Sequence, residues 1–296
     1  MFLIPSSPAA RQSASTRYGL AVGSGFLNST LVPFPLDAGI LISGLLRAPL
    51  QLMMNIAMTL LTYYYCKGNL TYAFTKLDIF IIVLILAGGL FIGQFVSMAI
   101  SPALMKKYET KKVYNLFSGL SAVAFALLFV VYLIAPTDLS KIGFVVIDGI
   151  LFFGTGMGFG GVSVCQSVMI SDCIDYEEYH NGYRPDGIFF SGQSFITKFS
   201  AGISSIISGY VFDAVGYTDI NINKMNEAIA NGANFATDYT SYSKAMWFLI
   251  SIPPAIGMLL AVIPTLKYEI DKKSHNKMLE ELVKRHKQNN QGDTNG

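Results

Sequence analysis

Residues 77–104 read LDIFIIVLILAGGLFIGQFVSMAISPAL, with one charged side chain, Asp78, at the edge. A helix rises about 1.5 Å per residue, so roughly 20 apolar residues cross the ~30 Å hydrocarbon core of a bilayer. The run is long enough, and it shows no polar face of the kind a helix needs on the surface of a soluble domain. It predicts a transmembrane helix.

Working outward, five further stretches reach the same length, near residues 39–64, 113–135, 143–170, 188–214 and 244–266. Polar breaks separate them: KGNLTYAFTK, KKYETKK, PTDLSK, DCIDYEEYHNGYRPDG and the long segment from Gly216 to Lys244, all read as loops. Composition agrees, since 52% of the 296 residues are hydrophobic and only 14% charged, against about a quarter charged in soluble domains. The fold class expected is all-α, a polytopic bundle of about six spans over 39–266. Residues 1–38 form an atypical, disordered lead-in without a secretory signal pattern, and 267–296 a frayed helical tail.

The net charge of +2 gives no field suited to nucleic acid, and Cys66, Cys165 and Cys173 have neither the spacing nor the histidines of a zinc site. No cofactor and no resident metal is expected. Positive charge collects on one side of the predicted membrane: Arg11, Arg17, Arg47, Lys106, Lys107, Lys111, Lys112, Arg184 and the seven basic residues from Lys267 to Lys287. Lys67, Lys76, Lys141, Lys224 and Lys244 fall on the other. The positive-inside rule then places both termini in the cytoplasm, in a multi-pass protein of the cytoplasmic membrane.

One basic residue, Lys198, falls inside the fifth predicted span. A charge there is expensive unless it meets a polar cavity, a partner, or, by snorkelling, the headgroups. Ser191, Ser194, Lys198, Gly202 and Ser205 recur at spacings of three and four, with Gln193 and Thr197 alongside, which gives one polar stripe. The first span carries another, Gln51, Asn55, Thr59 and Thr62, expected to face the bundle interior as cavity lining or as hydrogen-bonding glue between helices. Tyr63, Tyr64 and Tyr65 read as an interfacial aromatic belt. GTGMGFGG at 154–161 has no preceding strand, so its glycines point to close helix packing rather than nucleotide binding.

The densest charge cluster, SDCIDYEEYHNGYRPDG at 171–187, places Asp172 and Asp175 three residues apart. On a helix they share a face and suit a cation or a basic partner, although a divalent ion needs more oxygen ligands than this segment supplies.

Asp172, Asp175, Tyr176, Glu178, Arg184 and Lys198, in this order and without a gap, resemble the signature of the glycoside-pentoside-hexuronide:cation symporter family, the melibiose permease-like branch of the major facilitator superfamily. The resemblance covers about 41–270 and implies helices seven to twelve of a twelve-helix transporter, the C-terminal half. It implies symport of a sugar or glycoside with Na⁺ or H⁺ and no enzymatic activity. Lys198 would link cation and sugar sites, Gln193, Ser194, Thr197 and Gln166 would lie toward the sugar, and Asp172, Asp175, Tyr176, Glu178 and Arg184 would belong to a cytoplasmic gate. The family's ion-binding carboxylates lie in the half this chain lacks. The expected partners are therefore a sugar, the lipid bilayer and either a missing N-terminal half or a second copy. Two competing expectations are a non-transporting truncated remnant and a membrane-embedded metal-dependent transferase using Asp172 and Asp175.

Overall fold

The computed structural model describes residues 36–268 and 272–293, except for the side chains of 36–38, 272–273 and 286–293. The lead-in expected over 1–38 lies almost wholly outside the described residues. Six helical spans follow: Gly39–Tyr65, Leu77–Lys107, Thr110–Ile134, Ile142–Asn181, Asp186–Ala214 and Thr240–Thr265. Each overlaps a run expected from the sequence.

The first span is not one helix. It comprises α1 (Leu36–Leu46) and α2 (Leu50–Leu60), interrupted at Arg47–Pro49 and continued after α2 by a wide π-turn, Leu61–Tyr65. Proline at 49 has no N–H to donate, and the chain re-enters helix immediately after it. The remaining spans are α3 (Leu77–Lys107), α4 (Thr110–Ile134), α5 (Ile142–Asn181), α6 (Asp186–Ala214) and α8 (Thr240–Thr265). Between α6 and α8 lies α7, Asp219–Ala230, and after α8 comes α9, Lys272–Asp293.

The packing order runs α3, α5, α4, α8, first span, α6. Where α3 meets α5, small residues bring the backbones together. A Cβ on Gly156 would overlap the Leu90 carbonyl, one on Gly93 the Phe153 carbonyl, and one on Gly160 the Gln94 carbonyl. The glycine-rich stretch is thus a packing seam, as the sequence suggested. On the other side of α5, the core is aromatic and aliphatic: Tyr114, Phe117, Phe125 and Leu128 of α4 and Trp247 and Met258 of α8 are all buried.

Four local expectations are corrected. The 171–187 segment is not all loop, because α5 runs on through the acidic cluster to Asn181 and stops at Gly182, whose φ of +68° suits a residue without a Cβ. The segment after α6 is not all loop either, since it forms the amphipathic α7 and a further helical turn, Phe235–Asp238. The tyrosines do not make a lipid-facing belt: Tyr64 and Tyr65 are buried, and Tyr63 packs 5.6 Å from Phe235 and 6.4 Å from Tyr217. The cap built by α7 and its neighbours covers this end of the span, so the rings pack against protein. Lastly, Arg47, counted with the positive charge on one side of the membrane, lies within the first span. It sits at the break in the first span and donates from Nη2 to the Gln166 side chain.

Candidate functional site

The acidic cluster is assembled where α5 ends, α6 begins and α9 packs on the end of α5. Arg184 lies in the turn after Gly182 and binds three carboxylates. Its Nη1 is 2.8 Å from Asp175 and 2.7 Å from Glu178, and its Nε is 3.1 Å from Asp186. The hydrogen bond to Glu178, more than any other contact, holds the guanidinium well above its ordinary pKa. The guanidinium therefore stays charged.

Asp172 faces elsewhere. It accepts a 2.8 Å hydrogen bond from the hydroxyl of Tyr268, just beyond α8. Burial, and then the neighbouring carboxylate, keep the Tyr268 phenol far above its ordinary pKa, so it remains a donor. The His275 ring of α9 reaches both acids, with Nε2 3.6 Å from Asp172 and 3.2 Å from Asp175. Further along α9, Arg285 donates to the Tyr179 carbonyl at 2.9 Å and lies over that residue's ring, 4.8 Å from its centre. The tail is thus a helix docked on the end of α5. Tyr176 stands apart from the ion pairs: its ring lies 4.1 Å from that of His180.

The acids expected to act together therefore divide into two sets, Arg184 with Asp175, Glu178 and Asp186, and Asp172 with Tyr268 and His275. Asp175 touches both. Tyr268, His275 and Arg285 escaped sequence reasoning because the tail carries mixed charges without a recognisable motif. We expect Tyr268→Phe to loosen α9, since Asp172 then loses a hydrogen bond in a half-buried place. Hydrogen–deuterium exchange over 274–285 should rise severalfold while the spans stay protected; unchanged exchange would show that the bond does not hold the helix.

The second group of residues lies on α6. Four of its residues are buried, Phe189, Ser200, Ser204 and Ser208, and they share one face. At about 100° per residue, the Ser191–Ser194–Lys198–Gly202–Ser205 stripe lies on the opposite face. Ser194, Thr197 and Lys198 are exposed and Gln193 is half-buried, so the stripe looks out of the six-span bundle. Asn55 of α2 meets it, with Nδ2 3.5 Å from the Ser205 hydroxyl. The first-span stripe, expected to face the interior, is therefore corrected too: Asn55 is exposed and Gln51, Thr59 and Thr62 are half-buried. Periodicity had shown that these residues share a face without showing which way it points.

The helix interior of the bundle is reached instead by the serines. Ser204 donates at 3.0 Å to the Ala48 carbonyl, which also accepts the Gln51 N–H, and so ties α6 to the break in the first span. Gln166 is also turned inward: it is 4% exposed, bonded to Arg47 and packed on Gly44. Beside it on α5, a ladder of Ser163, Ser167 and Ser171 lines a hollow of about 470 Å³ together with Met98 and Phe190. A larger hollow of about 560 Å³ between α3 and α5 is apolar and contains none of these polar residues.

Comparison with known proteins gives the context for this arrangement. The sequence profile described as MFS/sugar transport protein matches residues 40–272, most of the chain. This chain belongs to that family. It is 34% identical over 135 residues to the isoprimeverose transporter of Lactiplantibacillus pentosus, which covers 45% of this chain and 25% of that relative. It is 24% identical over 196 residues to a putative sulfoquinovose importer of Salmonella typhimurium, covering 66% and 36%. With the lactose permease of Lactobacillus helveticus it shares 28% over 115 residues, covering 38% and 16%. The matched stretches span about a third or less of the length of these curated relatives.

The family is one of transporters rather than enzymes, and with six apolar helices the chain is a multi-pass membrane protein. The resemblance to the glycoside-pentoside-hexuronide symporters and the all-α bundle are both borne out. Among the described residues, no group of three or more His, Cys, Asp or Glu side chains is placed to hold a metal ion.

Proposed function

We propose that this chain is the C-terminal half of a cation-coupled sugar symporter of the cytoplasmic membrane, with both termini in the cytoplasm. The observation that carries the reading is the outward-facing polar stripe on α6, where a lysine stands at mid-span among serines and threonine and meets Asn55 of α2. Transporters of this architecture bind substrate near the midplane between two halves that rock against each other. A polar face turned away from its own bundle is what one such half would present.

In this reading Lys198 senses the coupling cation's carboxylates across the cavity, while Gln193, Ser194 and Thr197 offer hydrogen bonds to sugar hydroxyls. Gln166 acts one layer back, fixed by Arg47. The relatives' names include transporters of isoprimeverose and lactose, so the substrate class we propose is a sugar or glycoside. The ion is Na⁺ or H⁺. Sugar and ion together favour the closed arrangement of the halves, because each binds it better than the open ones.

The Arg184 cluster would be the cytoplasmic gate. Its ion pairs join the end of α5 to the start of α6 and are partly exposed, so each is worth little alone. Glu178, however, is 7% exposed. Arg184→Ala is expected to cost on the order of 1 to 2 kcal/mol, chiefly by removing a charged hydrogen-bond partner from this buried acid. Thermal unfolding of the purified protein measures that loss, and faster exchange over 175–190 should accompany it.

Uptake of a labelled disaccharide into native membrane vesicles, in which the chain meets whatever second half it works with, driven in turn by a sodium gradient and a proton gradient, tests the proposed function. Acceleration by one of the gradients supports cation coupling. Uptake indifferent to both would leave sugar transport without coupling, and no uptake of any glycoside would contradict the proposal.

A further inference from the structure

At the opposite end of α5 from the acidic cluster lies a carboxylate that neither the gate nor the sugar face uses. Asp148 is two turns into the helix, about 36 Å along α5 from Asp172. It is 0% exposed, and neither carboxylate oxygen has a hydrogen-bond partner among the described residues. No basic side chain there pairs with it. Lys141, just before the start of α5, is paired with Asp138 at 3.0 Å.

Its surroundings are aromatic and aliphatic. Tyr64 and Tyr65 of the π-turn are the titratable groups within electrostatic reach. Tyr64 donates to the Pro136 carbonyl at 2.5 Å, whereas the buried Tyr65 hydroxyl has no partner among the described residues. From α4, Tyr132 stacks at 5.7 Å on Trp247 of α8, whose indole N–H is likewise unpartnered among the described residues, while the Ser243 hydroxyl lies beside that of Tyr132. On the α3 side the neighbour is apolar, Ile85 against Gly149.

A bare carboxylate in such a place is far costlier than a neutral carboxyl, because no donor or cationic side chain among the described residues replaces its hydration. Two occupants could neutralise it, a proton or a metal cation. A metal cation takes a shell of several oxygens. Helix α5 is unbroken through Asp148, so its backbone releases no carbonyls there, and the side chains supply few oxygens beyond the carboxylate itself. A proton needs only one.

We propose that Asp148 is a buried proton-binding site, holding its carboxyl as the neutral acid at neutral pH, with the free Tyr65 hydroxyl as the donor that receives the carboxylate whenever the proton leaves. The proton comes from bulk water and returns there. Binding changes the charge of the bundle at the end opposite the Arg184 cluster. This site stands on burial and orphaned polar atoms alone and holds whether or not the chain moves sugar.

Difference infrared spectroscopy of the purified full chain, reconstituted in lipid, tests it against Asp148→Asn. The subtraction is needed because the chain carries 19 Asp and Glu residues in all. At neutral pH the wild type should show a protonated-carboxyl carbonyl band that Asp148→Asn lacks, with the same band in sodium and in potassium buffer. Identical spectra for the two proteins would overturn the proposal. A band that vanishes on adding sodium would also overturn it, and would assign the site to the metal cation. The amide of Asp148→Asn mimics the neutral acid, so this variant should keep the wild-type melting temperature within a few degrees; its failure to fold would count against a neutral Asp148.

Discussion

Gly156→Leu is expected to prevent the bundle from assembling. Gly156 faces α3 so closely that even a methyl group would overlap the Leu90 carbonyl, and the atom in the way is backbone that cannot swing aside as a side chain would. Relief requires α3 and α5 to separate. That separation would also undo the contacts at Gly89, Gly93 and Gly160, which depend on the same approach. Association of helices in lipid rests on such packing rather than on the hydrophobic effect, so no other force compensates. Overpacking usually costs about 1 to 3 kcal/mol and more where backbone must move. We expect a loss above about 3 kcal/mol, seen as aggregation during detergent extraction or a melting temperature lowered by ten degrees or more. Gly119→Leu provides the control, because nothing lies within 4 Å of the Cβ it would introduce. If both variants behaved alike, close packing of α3 on α5 would not be what holds the bundle.

The second large effect is functional. Lys198→Ala should lower ion-driven sugar uptake at least tenfold, a change of about 1.4 kcal/mol, while altering stability by no more than about 0.5 kcal/mol. The two halves of this prediction come from one observation. Lys198 is exposed and makes no hydrogen bond or ion pair among the described residues, so its removal leaves no local gap or unpaired acid. A charge is nonetheless kept at mid-span, where it is costly unless it has work on the far side of a cavity. Lys198→Arg should retain part of the activity, because the charge remains while its geometry changes. Uptake measured at equal membrane abundance decides the matter. Wild-type uptake by Lys198→Ala would remove the residue from the coupling mechanism.

The spans were legible because lipid imposes a simple demand: twenty apolar residues leave a signal that no local detail hides. The glycine seam was legible for a related reason, since eight residues with five glycines have little else to do in a membrane. The direction of the polar stripes was not legible. Ser200, Ser204 and Ser208 repeat as regularly as Ser191, Ser194 and Lys198, and only the neighbours of α6 decide which row is buried. Arg47 misled because a basic residue near the start of a span counts equally well as flanking charge, whereas the chain breaks at 47–49 inside the first span and Gln166 receives the guanidinium. The tyrosines misled because an aromatic run near a span end suits headgroups equally well, and nothing in their own sequence announces that α7 covers that end of the bundle. The docking of α9 depends on His275 meeting Asp172 and Asp175 across a hundred residues, a distance no local pattern spans.

Whether the α6 stripe faces water or lipid can be read directly from thiol chemistry. The three native cysteines, Cys66, Cys165 and Cys173, are all buried, so a cysteine introduced elsewhere reports with little background. Polar thiol reagents need a thiolate, which forms in water and not in hydrocarbon. Lys198→Cys, assayed in native membranes beside the likewise exposed but apolar-faced Val123→Cys, is predicted to react quickly and to be slowed by the transported sugar. Val123→Cys should remain unlabelled. If Lys198→Cys proved as inert as Val123→Cys, the stripe would lie against lipid, and the reading of this face as one wall of a sugar pathway would be contradicted.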